Sequence, residues 1–409
     1  MFNMPVFSCN SFLFAINFLY EHFNHSLAEL VARRITVRRE CCAFKTAPGN
    51  RRGFFLLVSW RFFIFKEIDM NALPLAVTGD RPTGPLHLGH YVGSLLNRVN
   101  LQHTHQLTVL IADFQALTDN MGNPEKVRSN IVELMKDYLA VGLDPSKVRF
   151  VLQSAVPELF SLTCYMQNMV SVGQLERNPT IRSELVSRGF ERSVPAGFLC
   201  YPISQAADII GLGGGVVPVG EDQLPMIELC NDVARRLNVL GAQVSECKAL
   251  LSSTPRLSGV DGKGKMSKSA GNSIALGCSA EELQQAIKMA YTDPNHLKVS
   301  DPGNIEGNVV FEYLDAFDPD CKTVTALKDH YRNGGLGDMA VKKRLMGIME
   351  ERMAPIRTAR MNISDSDALD ILYSGTQRAR QSTAQVLEQV LQAVGVARLP
   401  VPKINYGNT

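Results

Sequence analysis

The sequence lacks three features that would assign it to a special class of protein. None of its nine cysteines forms a Cys-x-x-Cys pair, which argues against a zinc cluster or a disulfide framework and for a reducing compartment. The net charge is only +2, so any contact with nucleic acid has to come from a local patch. The apolar run at 54–65 is interrupted by Arg61 and falls short of the roughly 20 residues that span a membrane. No membrane association is expected.

Residues 1–69 differ in composition from the rest of the 409-residue chain, which is long enough for two domains. They contain 12 of the 19 phenylalanines, the single tryptophan Trp60 and several arginine pairs, with few acids. The segment is interpreted as an organelle transit segment, an appended domain, or sequence translated ahead of a true start at Met70. We favour the last, because transit peptides are amphipathic rather than rich in phenylalanine. Residues 1–70 are expected to lie outside the core fold.

Strand and helix patterns alternate in the next part of the chain. This alternation predicts an α/β fold with a doubly wound, mostly parallel, Rossmann-like sheet over residues 71–278. The predicted strands are 73–77, 107–112, 148–153 and 216–219, with a helix at 124–141. Ligands of such sheets bind beyond the carboxyl ends of the strands, and the loop 78–90 follows the first strand.

Beyond residue 279 the pattern is typical of helices alone. Ser279 and Glu282 match the capping box S-x-x-E at the start of an amphipathic stretch. Further helices are predicted at 338–360 and 365–394, the second interrupted at Gly375. We expect an all-helical domain over residues 279–409.

The stretch TGDRPTGPLHLGHY (78–91) indicates a phosphate-binding loop. Its glycines and prolines precede a helix, whose first amides and dipole favour a bound anion. His87 and His90 are three residues apart and lie on one face of the first turn. A zinc site is disfavoured because no third ligand stands at a suitable spacing, so no metal ligands are assigned. Phosphate contact is favoured over a structural histidine pair.

The stretch GKGKMSKSAGN (262–272) places three lysines among glycines and serines. Such a segment is expected to remain unburied and mobile, either as a solvated charged loop or as a phosphate-binding lid. Gly259 to Lys265 matches the spacing of an NTPase phosphate loop. Met266, however, stands where that loop needs a Mg²⁺-binding hydroxyl.

The stretch YPISQAADIIGLGGGVVPVGEDQ (201–223) contains a carboxylate within an apolar run. Asp208 would be costly to bury without a partner, so it either caps a structural group or accepts a hydrogen bond from a ligand. The polar residues 220–223 follow an apolar strand and suit ribose or amine recognition, although a plain turn would look the same.

The order of these stretches is more specific than any one of them. HLGH (87–90) and KMSKS (265–269) resemble the two signatures of the class I aminoacyl-tRNA synthetases. QAADI, VPVGEDQ, GLDPSKVRFVLQSAVPE and the opening TGDRPTG are similar to stretches of the bacterial tryptophanyl-tRNA synthetases in particular. The resemblance extends from Leu73 to the C-terminal helices.

The resemblance implies that L-tryptophan is activated with ATP and Mg²⁺ to an adenylate, and is then transferred to tRNA(Trp). The implied catalytic residues are His87, His90, Lys265 and Lys268. The implied ATP-binding residues are Arg81, Pro82, Thr83, Gly89, His90, Gly220, Glu221, Asp222, Leu257, Lys265, Met266, Ser267, Lys268 and Ser269. The implied tryptophan-binding residues are Gly79, Tyr201, Gln205, Asp208 and Gln223, with Asp208 accepting from the indole N–H.

Three departures from the family pattern suggest a divergent second form of the enzyme. Arg81 stands where many bacterial members have glutamine, and Gln115 stands where a histidine is often found beside the indole. The stretch VSRGFERSVPAG lacks the common ATP-binding lysine, for which Arg188 or Arg192 is the expected substitute.

The resemblance also implies a cytoplasmic homodimer whose subunits share the tRNA, or an organellar enzyme if residues 1–69 are a transit segment. The expected local tRNA footprint is Lys342, Lys343, Arg344 and Arg352. A tyrosyl-tRNA synthetase remains an alternative, since an aspartate accepts from a phenol O–H as readily as from an indole N–H. A nucleotidyltransferase would be shorter and lack the helical domain, and a non-catalytic tryptophan sensor would not need both signatures.

Overall fold

A computed structural model of the protein describes residues 73–190, 192–251, 257–267 and 270–396. The expected N-terminal extension, Lys268 and Ser269 lie outside the described residues. A parallel sheet forms the centre, with the strand order β3-β2-β1-β4-β5. The strands are β1 (Leu75–Asp80), β2 (Gln106–Ile111), β3 (Val148–Leu152), β4 (Gly215–Val219) and β5 (Cys247–Leu251). The chain order reverses between β1 and β4, and in sheets of this kind ligands bind beyond the carboxyl ends of the strands at such a reversal.

The doubly wound parallel fold is confirmed, as are the four predicted strands, with small shifts at their ends. The fifth strand, β5, was not predicted. Its residues, CKALL, lie at the edge of the sheet and are mostly only half-buried or exposed, so they show no continuous apolar run.

Helices cover the sheet and connect its strands. The first, α1, consists of the consecutive segments Leu88–His90, Tyr91–Leu95 and Leu96–Leu101, of which the middle one is π-helical. The others up to β5 are α2 (Asp113–Asn120), α3 (Pro124–Ala140), α4 (Pro157–Gln167), α5 (Val172–Arg177), α6 (Pro179–Ser187), α7 (Ala196–Gly211) and α8 (Leu224–Val239). None of the helices within the described ranges combines the length and the apolar character needed to cross a bilayer.

The C-terminal region is helical, as expected. Its helices are α9 (Ala280–Met289), α10 (Val309–Phe317), α11 (Cys321–Asn333), α12 (Asp338–Met361) and α13 (Asp365–Ala393). The capping box of α9 is confirmed: the Glu282 amide donates to Ser279 Oγ at 3.1 Å, and the Ser279 amide donates to Glu282 Oε2 at 2.8 Å.

The predicted interruption at Gly375 is wrong, because α13 continues through this residue. A Cβ at Gly375 would lie 2.1 Å from the carbonyl oxygen of Phe150 in β3. The glycine therefore allows the helix to pack directly against the edge strand. Thr376 stabilises the same contact, since its Oγ1 accepts the amide of Leu152 at 3.0 Å.

The hydrophobic core includes side chains from both parts of the chain. Leu88 of α1, Phe150 of β3, Phe311 of α10 and Leu345 of α12 belong to one buried cluster. The described part of residues 67–409 accordingly forms one compact unit. The division into domains at residue 279 stays a prediction.

Candidate active site

The turn that carries His87 and His90 (residues 86–91, the histidine turn) lies beside the segment that follows the lysine-bearing stretch 262–272 (the lysine loop). The amide of Leu88 donates to the carbonyl of Ile274 at 3.0 Å, and the amide of Leu276 donates to the carbonyl of Leu86 at 2.9 Å. His87 lies opposite Ala275 in this short antiparallel pairing. Backbone hydrogen bonds therefore hold the turn after β1 against the segment that follows the lysine loop.

Met266 anchors the lysine loop to the histidine turn. Its side chain is buried, and its sulfur accepts the backbone N–H of Gly89 at 3.3 Å. Its own amide donates to the carbonyl of Leu257, which is also buried, at 3.1 Å. The expectation that this segment remains unburied is wrong at Met266, because a long apolar side chain in a glycine-rich loop can reach the core. Lys265 itself is exposed.

Asn272 organises the rest of the lysine loop. It is buried, and its Oδ1 accepts the amide of Ser267 at 2.9 Å while its Nδ2 donates to Asp261 at 2.9 Å. The helix α10 holds the segment that precedes the loop, because Tyr313 Oη donates to the carbonyl of Ser258 at 2.7 Å. The loop is thus attached at both ends of its described part.

The two histidines form a contacting pair at the start of α1. Their ring centroids lie 3.8 Å apart, and the amide of His87 donates to His90 Nδ1 at 3.2 Å. Because Nδ1 accepts, neutral His90 carries its proton on Nε2. A Cβ at Gly89 would lie 3.0 Å from the His87 ring, so this glycine makes room for the imidazole. The predicted packing of a nucleotide on Gly89 stays a prediction.

An ion pair between the buried Arg98 and the half-buried Asp80 fixes the end of β1, immediately before this loop. Arg98 donates to both carboxylate oxygens of Asp80, at 2.5 and 3.2 Å, and Tyr138 Oη donates to the same carboxylate at 2.6 Å. Burial acts to raise the pKa of Asp80, but Arg98 outweighs it and holds this pKa well below its usual range. Sequence reasoning missed this network, because its members come from β1, α1 and α3.

The helix α7 presents three of the predicted tryptophan-binding residues on one face. Tyr201, Gln205 and Asp208 are separated by four and three residues, which places them one above the other on a helix. Tyr201 and Asp208 are buried and Gln205 is half-buried. The structure therefore brings these three predicted residues together.

Asp208 has one satisfied and one unsatisfied oxygen within the described part of the chain. Its Oδ2 accepts Nε2 of Gln153 at 2.7 Å, whereas its Oδ1 is buried without a hydrogen-bond partner. Burial raises the pKa of Asp208 to about 8, although the hydrogen bond from Gln153 acts to lower it. The structural role is thus confirmed at Oδ2, whereas acceptance of a hydrogen bond from a ligand at Oδ1 stays a prediction.

Gln153 was not identified as a site residue from the sequence. Its Oε1 accepts the amide of Gln115 at 3.0 Å, which fixes its amide group so that Nε2 faces Asp208. The available signal was its place as the polar residue at the carboxyl end of the predicted strand 148–153.

Gly79 has a structural role in the sheet. A Cβ there would lie 2.6 Å from the carbonyl oxygen of Leu110 in β2, so a side chain at this position would push the two strands apart. Its implied contact with the amino group of tryptophan stays a prediction.

The residues predicted to hold ribose and adenine follow β4. Glu221–Gln223 forms a single 3₁₀ turn, in which the amide of Gln223 donates to the carbonyl of Gly220 at 3.0 Å. Thr180 of α6, which sequence reasoning missed, donates its hydroxyl to the carbonyl of Asp222 at 2.6 Å. Gly220, Glu221 and Asp222 are exposed, so their polar groups face solvent at the same end of the sheet as the histidine turn.

A family model described as tRNA synthetases class I (W and Y) matches residues 71–354. The chain belongs to this family. A tryptophan–tRNA ligase of Clostridium longisporum is 49% identical over 333 residues, covering 80% of this chain and 98% of that protein. One from Streptococcus mutans is 46% identical over 338 residues, covering 79% and 98%. A solved tryptophanyl-tRNA synthetase of Campylobacter jejuni, complexed with ADP and tryptophan, superposes with a TM-score of 0.70 at 28% identity, covering 78% of this chain and 99% of that one.

Two arginines of this class I synthetase share one carboxylate. Arg188, at the end of α6, and Arg81, in the loop after β1, both pair with Asp119 of α2, Arg81 at 3.5 Å. The guanidinium carbon of Arg188 lies 5.6 Å from the ring centroid of Phe198 in α7, so this arginine lies close to that helix. Of the two arginines expected to replace the family's lysine, Arg188 therefore lies beside the predicted ATP residue Arg81.

Pro82 and Thr83 continue the loop beyond this arginine. Pro82 is buried, and the amide of Thr83 donates to the carbonyl of Arg81 at 2.8 Å in a tight turn. Their contact with nucleotide stays a prediction.

The expected tRNA footprint on α12 is wrong at one of its four positions, Lys342, and stays a prediction at Lys343, Arg344 and Arg352. Lys342 is buried, and its Nζ donates to the carbonyl of Lys288 at 2.7 Å. Arg344 pairs with Asp318, donating through Nε at 2.7 Å. A charged run on a helix alternates between its faces, so some of its members face the core. Lys343 and Arg352 are exposed.

Proposed function

We propose that the protein activates L-tryptophan with ATP to tryptophanyl-adenylate and pyrophosphate, and then transfers tryptophan to tRNA(Trp). One observation carries this proposal: hydrogen bonds join the histidine turn after β1 to the lysine loop, and the buried acceptor Asp208 of α7 pairs with Gln153, which follows β3 in the same parallel sheet. The tryptophan–tRNA ligases to which the chain is similar support the same reaction.

The first step is an in-line displacement at phosphorus. A carboxylate oxygen of tryptophan forms a bond to the α-phosphorus of ATP, and the bond from this phosphorus to the bridging oxygen breaks, so that pyrophosphate leaves. The attacking carboxylate is already ionised, so no general base is needed. Catalysis then depends on positioning and on stabilising the charge of the phosphates. The nucleotide enters as its Mg²⁺ complex, which is the substrate.

The histidines and lysines supply the positive and donor groups for this step. His90, with its proton on Nε2, and His87 donate to the phosphates, and Gly220, Glu221 and Asp222 hold the nucleoside. Lys265 and Lys268 stabilise the charge that develops on the leaving pyrophosphate. Arg188, held beside Arg81 by Asp119, supplies the positive charge that a lysine supplies in other members of the family.

The amino-acid pocket selects through the unsatisfied oxygen of Asp208. An indole N–H satisfies this buried acceptor, whereas phenylalanine would leave it unpaired. Sites built to hydrogen-bond a substrate reject the analogue that lacks the group by about 10⁴–10⁵. Tyr201, Gln205, Gln223 and Gly79 complete the pocket.

The second step requires tRNA(Trp) on the C-terminal helices. The exposed residues Lys343 and Arg352 supply local positive charge there. We include a homodimer and a cytoplasmic location in the proposal. Sedimentation of the purified protein and fractionation of cells test these two parts.

Exchange of labelled pyrophosphate into ATP tests the central reaction. We expect exchange that depends on tryptophan, with much weaker exchange for tyrosine and none for phenylalanine. Exchange that depends on tyrosine alone would show that Asp208 accepts from a phenol, and would overturn the choice of amino acid. Binding of tryptophan without any exchange would indicate a sensor rather than an enzyme.

A further inference from the structure

The backbone immediately before His87 is held by a carboxylate from another helix. The amide of Leu86 donates to Asp137 Oδ2 of α3 at 3.1 Å, and both residues are buried. The carbonyl of Leu86 accepts the amide of Leu276, as described above. The position of the histidine turn therefore depends on the carboxylate of Asp137.

A residue near the end of α12 holds this carboxylate in turn. Arg360 donates through Nε to Asp137 Oδ1 at 2.7 Å, and its guanidinium also pairs with Glu133 of α3. A Cβ at Gly277 would lie 3.1 Å from Nε of Arg360. One guanidinium thus contacts α3 and the segment that follows the lysine loop.

The charge of Arg360 favours the ionised form of Asp137. Burial raises the pKa of Asp137, and the hydrogen bonds and charge of Arg360 oppose that rise, while the neighbouring Glu133 adds to it. Arg360 from α12 and Glu133 from α3 are the charged groups that act on this carboxyl, and the histidine turn contributes the Leu86 amide. Without the guanidinium, the group would take up a proton more readily. A neutral carboxyl accepts a weaker hydrogen bond than a carboxylate.

We propose that Arg360 is a positioning residue for adenylate formation. It orients Asp137 as the acceptor for the Leu86 amide, and Asp137 fixes the backbone that carries His87 and His90. The inference rests on the proposed function, because it assumes that this turn binds the phosphates of ATP. It assigns to a C-terminal helix a part in the first reaction step, in addition to any contact with tRNA.

The variant Arg360→Met tests this role, with Arg357→Met as its matched control. Arg357 lies one turn earlier on α12, is similarly shielded, and pairs with Glu350. In pyrophosphate exchange we expect Arg360→Met to lower kcat by about 10²-fold, the scale of a small misplacement of catalytic groups. The KM for tryptophan should change little. Arg357→Met should behave like the parent protein.

The pH profile and a rescue variant separate positioning from a general loss of folding. Residual activity of Arg360→Met should rise with pH as Asp137 ionises, because without the guanidinium burial raises the pKa of this carboxyl further. Adding Asp137→Asn to Arg360→Met should restore most of the kcat, because the amide oxygen accepts the Leu86 N–H without a buried charge. Parent-like kcat and pH profile in folded Arg360→Met would overturn the proposal. Equal losses in both arginine variants would do the same.

Hydrogen exchange of the segment 86–91 tests the geometry without any catalysis. We expect faster exchange at this segment in Arg360→Met than in Arg357→Met, and recovery in the double variant. Unchanged protection of this segment from hydrogen exchange in Arg360→Met would refute the inference, even if the protein catalysed no pyrophosphate exchange. A parent protein that shows the expected protection pattern but no tryptophan-dependent reaction would refute the proposed function alone.

Discussion

The backbone amide of Gly89 donates to the thioether sulfur of Met266 at 3.3 Å. This contact connects the two signature stretches, 177 residues apart in sequence, through a side chain that the family pattern places between two lysines. Met266 is buried, so its contribution combines apolar packing with a weak polar contact to the histidine turn.

Met266→Ala should weaken both the anchor of the lysine loop and the reaction. Loss of a buried methionine side chain costs about 2–5 kcal/mol of unfolding free energy, and the loop that carries Lys265 would lose its attachment to Gly89. Met266→Leu should retain most of the stability, since it conserves volume. Thermal unfolding and the kinetics of pyrophosphate exchange measure the two effects. Met289→Ala is the control, because Met289 is exposed. Similar kinetics for Met266→Ala and Met289→Ala would contradict the anchoring role.

Asp208→Asn should stabilise the protein at alkaline pH while weakening tryptophan selection. The pKa of this carboxyl rises from 3.8 to about 8 on burial, so the folded state binds the proton more tightly than the unfolded state. The unfolding free energy of the parent should therefore fall as pH increases from about 4 through about 8. The neutral amide removes this dependence.

Denaturant unfolding at several pH values measures this effect. The variant should exceed the parent by a few kcal/mol near pH 9, and the difference should shrink towards acid pH. A constant difference across this range would show that the ionisation of Asp208 is not the cause. In exchange assays the same variant should raise the KM for tryptophan.

Gln153→Leu should impair tryptophan binding more than ATP binding. The leucine removes the donor to Asp208 Oδ2 and leaves the amide of Gln115 without its acceptor, so the Asp208 carboxylate loses its orientation. A buried polar group left without its partner costs about 1–3 kcal/mol, equivalent to roughly 5–150-fold in KM for tryptophan. Kinetics with each substrate varied in turn provide the measurement. An equal change in both KM values would argue for general disruption.

Arg188→Ala should raise the KM for ATP by about tenfold, which is ~1.4 kcal/mol. Arg188 is held beside Arg81 by Asp119, whereas Arg192 has no such contact with that carboxylate in the described residues. Arg192→Ala is therefore the matched control and should leave the KM for ATP unchanged. The reverse pattern would identify Arg192 as the residue that replaces the family's lysine.

Local patterns were sufficient for much of the fold. The four predicted strands are apolar runs that form β1 to β4 of the sheet, and the capping box at Ser279 is a contact between near neighbours. Failures occurred where a distant segment decides the outcome. In the sequence Gly375 looks like a helix interruption, but in the structure β3 packs against it. Lys342 looks like a surface charge, but its ammonium group donates a hydrogen bond to the carbonyl of Lys288.

The sequence alone determined the parallel fold, the order of the signature stretches and the family to which the chain is similar. These depend on residue periodicity and on short motifs, both of which are local along the chain. Tertiary structure decided which oxygen of Asp208 lacks a hydrogen-bond partner and which arginine pairs with the same carboxylate as Arg81. It also decided that Arg360 contacts the histidine turn indirectly, through its hydrogen bond to Asp137. Such relationships depend on distances between residues that are far apart in sequence, and only the packing of the helices on the sheet sets those distances.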